Sequence, residues 1–105
     1  MNNNQTLQKL AEILEQRKNA QADESYVASL YESGLEKILD KISEEANETV
    51  EAARETDSKH LIHEVADLWF HCMVLLAQKN LSHEDVLSEL DRRFGISGLV
   101  EKAQR

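Results

Sequence analysis

A chain of 105 residues is enough for one domain, 1–105, but a domain this small buries a low fraction of its surface, so self-association is expected on size alone. With 20 acidic residues against 12 Lys and Arg and a net charge of −8, it lacks the clustered cations that a nucleic-acid or anionic-membrane partner requires. No proline, three glycines and many Glu, Leu, Ala and Lys residues make an all-α chain the expectation.

The N-terminal stretch MNNNQTLQKL has no basic start followed by an apolar core, so no signal peptide is expected. Residues 5 to 18 place Leu7, Leu10, Ala11 and Leu14 on one helix face. ADESYVASLYESG predicts a short helical segment with Asp23 or Ser25 as its cap and Gly34 as its stop. Residues 35 to 55 form a longer amphipathic helix with Leu35, Ile38, Leu39, Ile42, Ala46, Val50 and Ala53 as its stripe. The turn ETDSK follows, and Ser58 can cap a helix that runs to about Lys79, where Asn80 suits a left-handed end. Ser82 with Asp85 resembles a capping box, and Leu81 with Val86 has the spacing of a hydrophobic staple. Val86, Leu87, Leu90 and Phe94 make the last stripe, closed by Gly95 and followed by the tail ISGLVEKAQR. These stripes and short turns predict an antiparallel bundle of four to five helices, up-and-down in order and completed by dimerisation.

The helix from Ser58 raises the functional question. From Val65 to Ala77 only Asp67 and His71 interrupt an apolar run, which is about 13 residues long and too short to span a bilayer. Cys72, in this run, reads as a buried free thiol suited to a reducing, cytoplasmic compartment. With Val65 set at zero and about 100° per residue, His60, Glu64, Asp67 and His71 fall at roughly −140°, −100°, −160° and −120°. They form one polar ribbon on a helix that is apolar on its other faces, and such a helix is buried on several sides. Trp69, Phe70 and Met73 are expected in the core, and His60 and His63 near the helix start are expected to be exposed.

The preceding helix has a matching flank. With Ile42 at zero, Glu45 lies near about −60°, Lys41 near −100° and Glu48 near −120°. Glu-x-x-Glu spacing by itself means little in an acidic chain, since Glu12 and Glu15 repeat it. Packed antiparallel, however, the two helices bring Glu45 and Glu48 opposite Glu64 and Asp67. Four carboxylates at close range repel unless a cation sits among them. An all-oxygen set suits Mg²⁺, with Mn²⁺ as a substitute. A ferritin-like di-iron centre is discounted because no Glu of these helices has a His three residues on. His71 is expected behind the carboxylates, as a hydrogen-bond donor to one of them. The competing structural reading is an interhelical salt-bridge network of Lys or Arg with Glu64 and Asp67.

KISEEANETVEAA followed by EVADLWFHCMVLL resembles the Glu-x-x-Glu plus Glu-x-x-Asp signature of the all-α nucleotide pyrophosphatases of the MazG type. Within that superfamily, SYVASLYESGLEKILDKISEEANE and ELDRRFGISGLVEKAQR resemble the phosphoribosyl-ATP pyrophosphatase family, over about residues 6 to 105. Ser43 and Val27 stand where glycine and threonine are frequent in that family. The resemblance implies Mg²⁺-dependent hydrolysis of phosphoribosyl-ATP to phosphoribosyl-AMP and pyrophosphate, the second step of histidine biosynthesis, by a cytoplasmic homodimer.

Carried over by position, it implies Glu45, Glu48, Glu64 and Asp67 as metal ligands. Lys37, Lys41, Arg92 and Arg93 become candidates for holding phosphates, with Lys102 and Arg105 as weaker ones. The implied chemistry is attack of a metal-activated water on phosphorus. Glu44 or Glu48 would orient or deprotonate the water, and Lys41 would stabilise charge on the leaving pyrophosphate. Two alternatives stay open: a relative in the superfamily acting on another nucleoside triphosphate, and a non-catalytic helical module that binds a partner.

Overall fold

A computed structural model describes residues 3–94 as a bundle of five α-helices: α1 (Thr6–Gln16), α2 (Tyr26–Ser33), α3 (Leu35–Ala53), α4 (Ser58–Gln78) and α5 (His83–Arg92). Short 3-10 turns, Asn3–Gln5 and Arg17–Asn19, flank α1. Gly95, the tail, Lys102 and Arg105 lie outside the described residues.

Most of the punctuation expected from sequence is present. Ser25 caps α2, its Oγ accepting from the Ala28 N–H at 3.2 Å. Gly34 joins α2 to α3 at φ +98°, a region that side chains with a Cβ rarely adopt; a Cβ there would meet nothing within 4 Å, so conformation and not space calls for glycine. Asn80 is left-handed at φ 59°. Ser82 and Asp85 close the capping box, with the Ser82 N–H donating to Asp85 Oδ2 at 2.9 Å. One cap differs. Asp57, not Ser58, caps α4, because its carboxylate accepts from both the Lys59 and His60 N–H groups and sets a negative charge at the helix start.

Helices α3 and α4 pack against each other as an antiparallel hairpin and form the spine. The core gathers at one end of that hairpin, where Ile38 of α3 meets Met73, Val74 and Ala77 of α4, with Leu14 of α1 and Val27 and Leu30 of α2 closing over them. Tyr31 ties the cover down by donating its O–H to the Leu14 carbonyl at 2.9 Å. Lys18 donates to Asn80 Oδ1 at 3.0 Å, linking the end of α1 to the end of α4.

Met73 is in the core as expected and Phe70 is half-buried, but Trp69 is 59% exposed. It borders an apolar groove of about 310 Å³ with Leu7, Cys72, Val86, Leu87 and Leu90. Its place in the apolar arc of α4 faces a side that the described residues leave uncovered. Cys72 is half-buried and unpaired, and burial raises its thiol pKa. Among the described residues, no helix is long and apolar enough to cross a membrane.

Candidate active site

The carboxylates lie along the hairpin between the core and the α3–α4 turn. Antiparallel packing sets Glu48 against Glu64 and Glu45 against Asp67 and His71. One ligand atom each from Glu45, Glu48 and Glu64 lie within 4.8 Å of one another. A second trio, His63, Glu64 and Asp67, meets the same limit, so Glu64 is common to both.

Burial divides the acids. Glu45 is 5% exposed and Glu64 is 7% exposed, whereas Asp67 is half-buried and Glu48 open. Glu64 Oε1 has the His60 and His63 rings at 3.6 and 4.0 Å. Glu64 Oε2 is buried, and among the described residues no donor reaches it. A buried carboxylate oxygen in that position requires a proton or a cation beside it.

The pKa directions show where protons go when only protein atoms are present. Burial, then the hydrogen bond with Glu48, raises Glu45. The hydrogen bond with Glu48, then burial, raises Glu64. Glu48 is lowered, first by Glu64. Glu48 is therefore the ionised acceptor between two acids that favour their protonated forms. A divalent cation would replace those protons. Three converging carboxylates, one with an orphaned buried oxygen, have the hard, all-oxygen character that fits Mg²⁺ or Mn²⁺.

The basic candidates separate in the fold. Lys41 Nζ lies 3.5 Å from Glu44 with its side chain 24% exposed. Burial works against its charge, but Tyr26, Glu44 and Glu45 outweigh burial and raise its pKa. Lys37 is exposed one turn earlier on α3. Arg92 and Arg93 are engaged by Glu89, with Arg92 Nε and Nη2 donating at 2.8 and 2.9 Å and Arg93 Nε at 3.1 Å. That double engagement holds the Glu89 carboxyl down at about 2. Glu44, the candidate proton acceptor, is exposed and paired with Lys41.

His71 is buried behind the cluster, its Nδ1 at 3.2 Å from Glu45 Oε1 and 2.9 Å from the Asp67 carbonyl. This is the place expected of it. His60 and His63 do more than face solvent: besides Glu64, His60 meets Glu55 at 3.2 Å and His63 meets Asp67 at 3.3 Å. The i,i+4 spacing of His63 and Asp67 is a signal the sequence contained. Tyr26, whose hydroxyl is 2.8 Å from His71 Nε2, has no such signal, because it comes from another helix. Beside the cluster, Asn47, Glu48, Glu51, His60 and Glu64 line a cleft of about 240 Å³.

The sequence profile of the family described as phosphoribosyl-ATP pyrophosphohydrolase matches residues 7–94. A relative from Methylococcus capsulatus, named phosphoribosyl-ATP pyrophosphatase, is 62% identical over 99 residues, covering 94% of each chain. One from Vesicomyosocius okutanii, of the same name, is 55% identical over 97 residues, covering 92% of each chain.

Proposed function

The chain belongs to the phosphoribosyl-ATP pyrophosphohydrolase family, and on that footing we propose that it hydrolyses phosphoribosyl-ATP to phosphoribosyl-AMP and pyrophosphate in histidine biosynthesis, with Mg²⁺ held by Glu45, Glu48, Glu64 and Asp67. The observation that carries the site assignment is the convergence of Glu45, Glu48 and Glu64 within 4.8 Å around a buried carboxylate oxygen that no donor among the described residues reaches. When bound, the cation supplies neutralisation of the polyphosphate and a lowered pKa for water. The chain supplies the rest. Glu48, open to solvent at the edge of the cluster, accepts the proton of the attacking water as the new O–P bond forms. The P–O bond to the bridging oxygen breaks, and pyrophosphate leaves with the electron pair. Lys41, charged and beside the cluster, meets the growing negative charge on that leaving group. Lys37 extends the same flank outward. A net charge of −8 disfavours a polyanion elsewhere on this surface.

The assay is incubation with phosphoribosyl-ATP and Mg²⁺ followed by ³¹P NMR. Pyrophosphate and phosphoribosyl-AMP are expected in equal amounts. Orthophosphate in place of pyrophosphate, or faster turnover of a plain nucleoside triphosphate in a substrate panel, would reject this reading.

The working form is a cytoplasmic homodimer. Trp69, Ile62 and Phe94, each more than half exposed, and the groove beside Trp69 are apolar surface that a second copy would cover. Trp69→Asp is expected to shift light scattering from dimer to monomer. A wild-type protein that is monomeric at micromolar concentration would remove the dimer from this account.

A further inference from the structure

The contacts of His71 fix which of its nitrogens bears hydrogen. Nδ1 lies 2.9 Å from the Asp67 carbonyl oxygen and 3.2 Å from Glu45 Oε1. A carbonyl oxygen only accepts, so Nδ1 carries the hydrogen and shares it between the two. In the neutral ring Nε2 is then a lone pair, and the group facing it at 2.8 Å is the Tyr26 hydroxyl, which donates. Burial pushes the pKa of Tyr26 up from its ordinary value, so the phenol keeps its proton. Its ring is held in place by a stack on Phe70, with centroids 6.4 Å apart and planes at 21°. His71 lies edge-on to both Tyr26 and Phe70, at 88° and 84°. The imidazole is buried, so turning the ring over or switching its tautomer would leave polar atoms unpaired.

We propose that Tyr26 is a positioning residue for the cation site: through its hydroxyl it fixes the orientation and tautomer of His71, whose Nδ1–H in turn fixes the Glu45 carboxylate facing Glu48 and Glu64. This rests on the reading of the acidic cluster as a divalent-cation site. It gives Ser25 a part as well, since the cap that starts α2 at Tyr26 also sets where the phenol stands. The chain Tyr26–His71–Glu45 spans α2, α4 and α3, so it ties the ligand geometry to the docking of α2 on the hairpin.

The test is Tyr26→Phe, which keeps the ring against Phe70 and removes only the O–H. Mn²⁺ affinity of the full chain, without substrate, is read from free-ion electron paramagnetic resonance. Loss of a partner outside the ligand shell costs about 10–100-fold in affinity, and the lower end, about tenfold, is expected here. ¹⁵N NMR of the metal-free protein is expected to report the Nδ1–H form of His71 in wild type and a changed ring signature in Tyr26→Phe. His71→Leu should weaken Mn²⁺ binding at least as much, and Tyr26→Phe added to it should do nothing further. His71→Asn, whose amide nitrogen stands near the Nδ1 position, should restore part of the loss. Unchanged Mn²⁺ affinity in Tyr26→Phe would overturn the inference alone. A wild type that binds no Mn²⁺ would overturn the cation site and this inference with it.

Discussion

Glu64→Gln is the sharpest perturbation of the site, because Glu64 belongs to both trios and is the acid with an orphaned oxygen. The substitution keeps the shape of the side chain, removes a charge and supplies an amide donor to Glu48. Without metal, Glu45 and Glu64 both have raised pKa values, so each contributes stability that is present below its ordinary value of 4.5 and lost as pH rises through the raised one. The metal-free wild type is therefore expected to lose melting temperature as pH rises above 4.5, and Glu64→Gln to lose less. Mg²⁺ at about a hundred times its Kd stabilises a folded state that alone binds it by about 2.7 kcal/mol. For a domain of this size each kcal/mol raises Tm by roughly 4–8 °C, so Mg²⁺ should raise wild-type Tm by about 10–20 °C. The Gln variant should show little of that rise. Its activity should fall by more than about 100-fold, since loss of partners outside the ligand shell already costs up to that in metal affinity. Differential scanning calorimetry with and without Mg²⁺ supplies the melts. A metal-free Gln variant that melts far below wild type would show that the Glu64 carboxylate supports the fold, and the cation reading would fail.

Lys41→Ala is expected to raise KM for phosphoribosyl-ATP or lower kcat while leaving Mn²⁺ affinity of the free protein intact; equal loss of both would make the lysine an organiser of the carboxylates. Glu89→Gln removes the charge that faces Arg92 and Arg93, and because Glu89 is held down at about 2 the wild type has stability above the ordinary 4.5 that is lost as pH falls toward 2. Acid melts of the variant should lack that part of the decline, and an unchanged acid limb would refute it. Ile38→Ala, at a fully buried position, should cost about 2–5 kcal/mol in urea denaturation at unchanged m-value. The folded fraction of that variant should keep wild-type Mn²⁺ affinity, since Ile38 lies in the core and not in the acidic cluster.

Helix phase carried much of the site into view. The angular positions placed Glu45 closer to the stripe than Glu48, and the structure buries Glu45 while leaving Glu48 open. Lys41 and His71 followed from the same geometry. Features set by a third element did not. Tyr26 reaches His71 from 45 residues away, and the docking of α2 is not written in the periods of α3 or α4. Trp69 lies in the apolar arc of α4 yet 59% exposed, because periodicity marks a face that wants cover without saying whether the same chain provides it. Arg92 and Arg93 had a local signal as partners of Glu89, which stands three and four residues before them, at spacings that pair on a helix.

Core and cluster occupy different stretches of one hairpin, and this separation explains how the fold tolerates the acids. Buried carboxylates that favour protonation oppose folding at neutral pH. Ile38, Val74, Leu14 and Leu30, all nearly or fully inaccessible, hold the bundle from the far end of α3 and α4, where none of the described acids is buried. The hairpin sets Glu48 beside Glu64, where a shared hydrogen bond lets the two carboxyls stand together without metal. On the proposed reading, a cation entering between them would meet ligands already in place, and little of its binding energy would go to ordering the chain. The greasy run of α4 and its ribbon of acids are thus two parts of one device: the apolar faces fix the helix, and the fixed helix holds charges together that would separate in a looser chain.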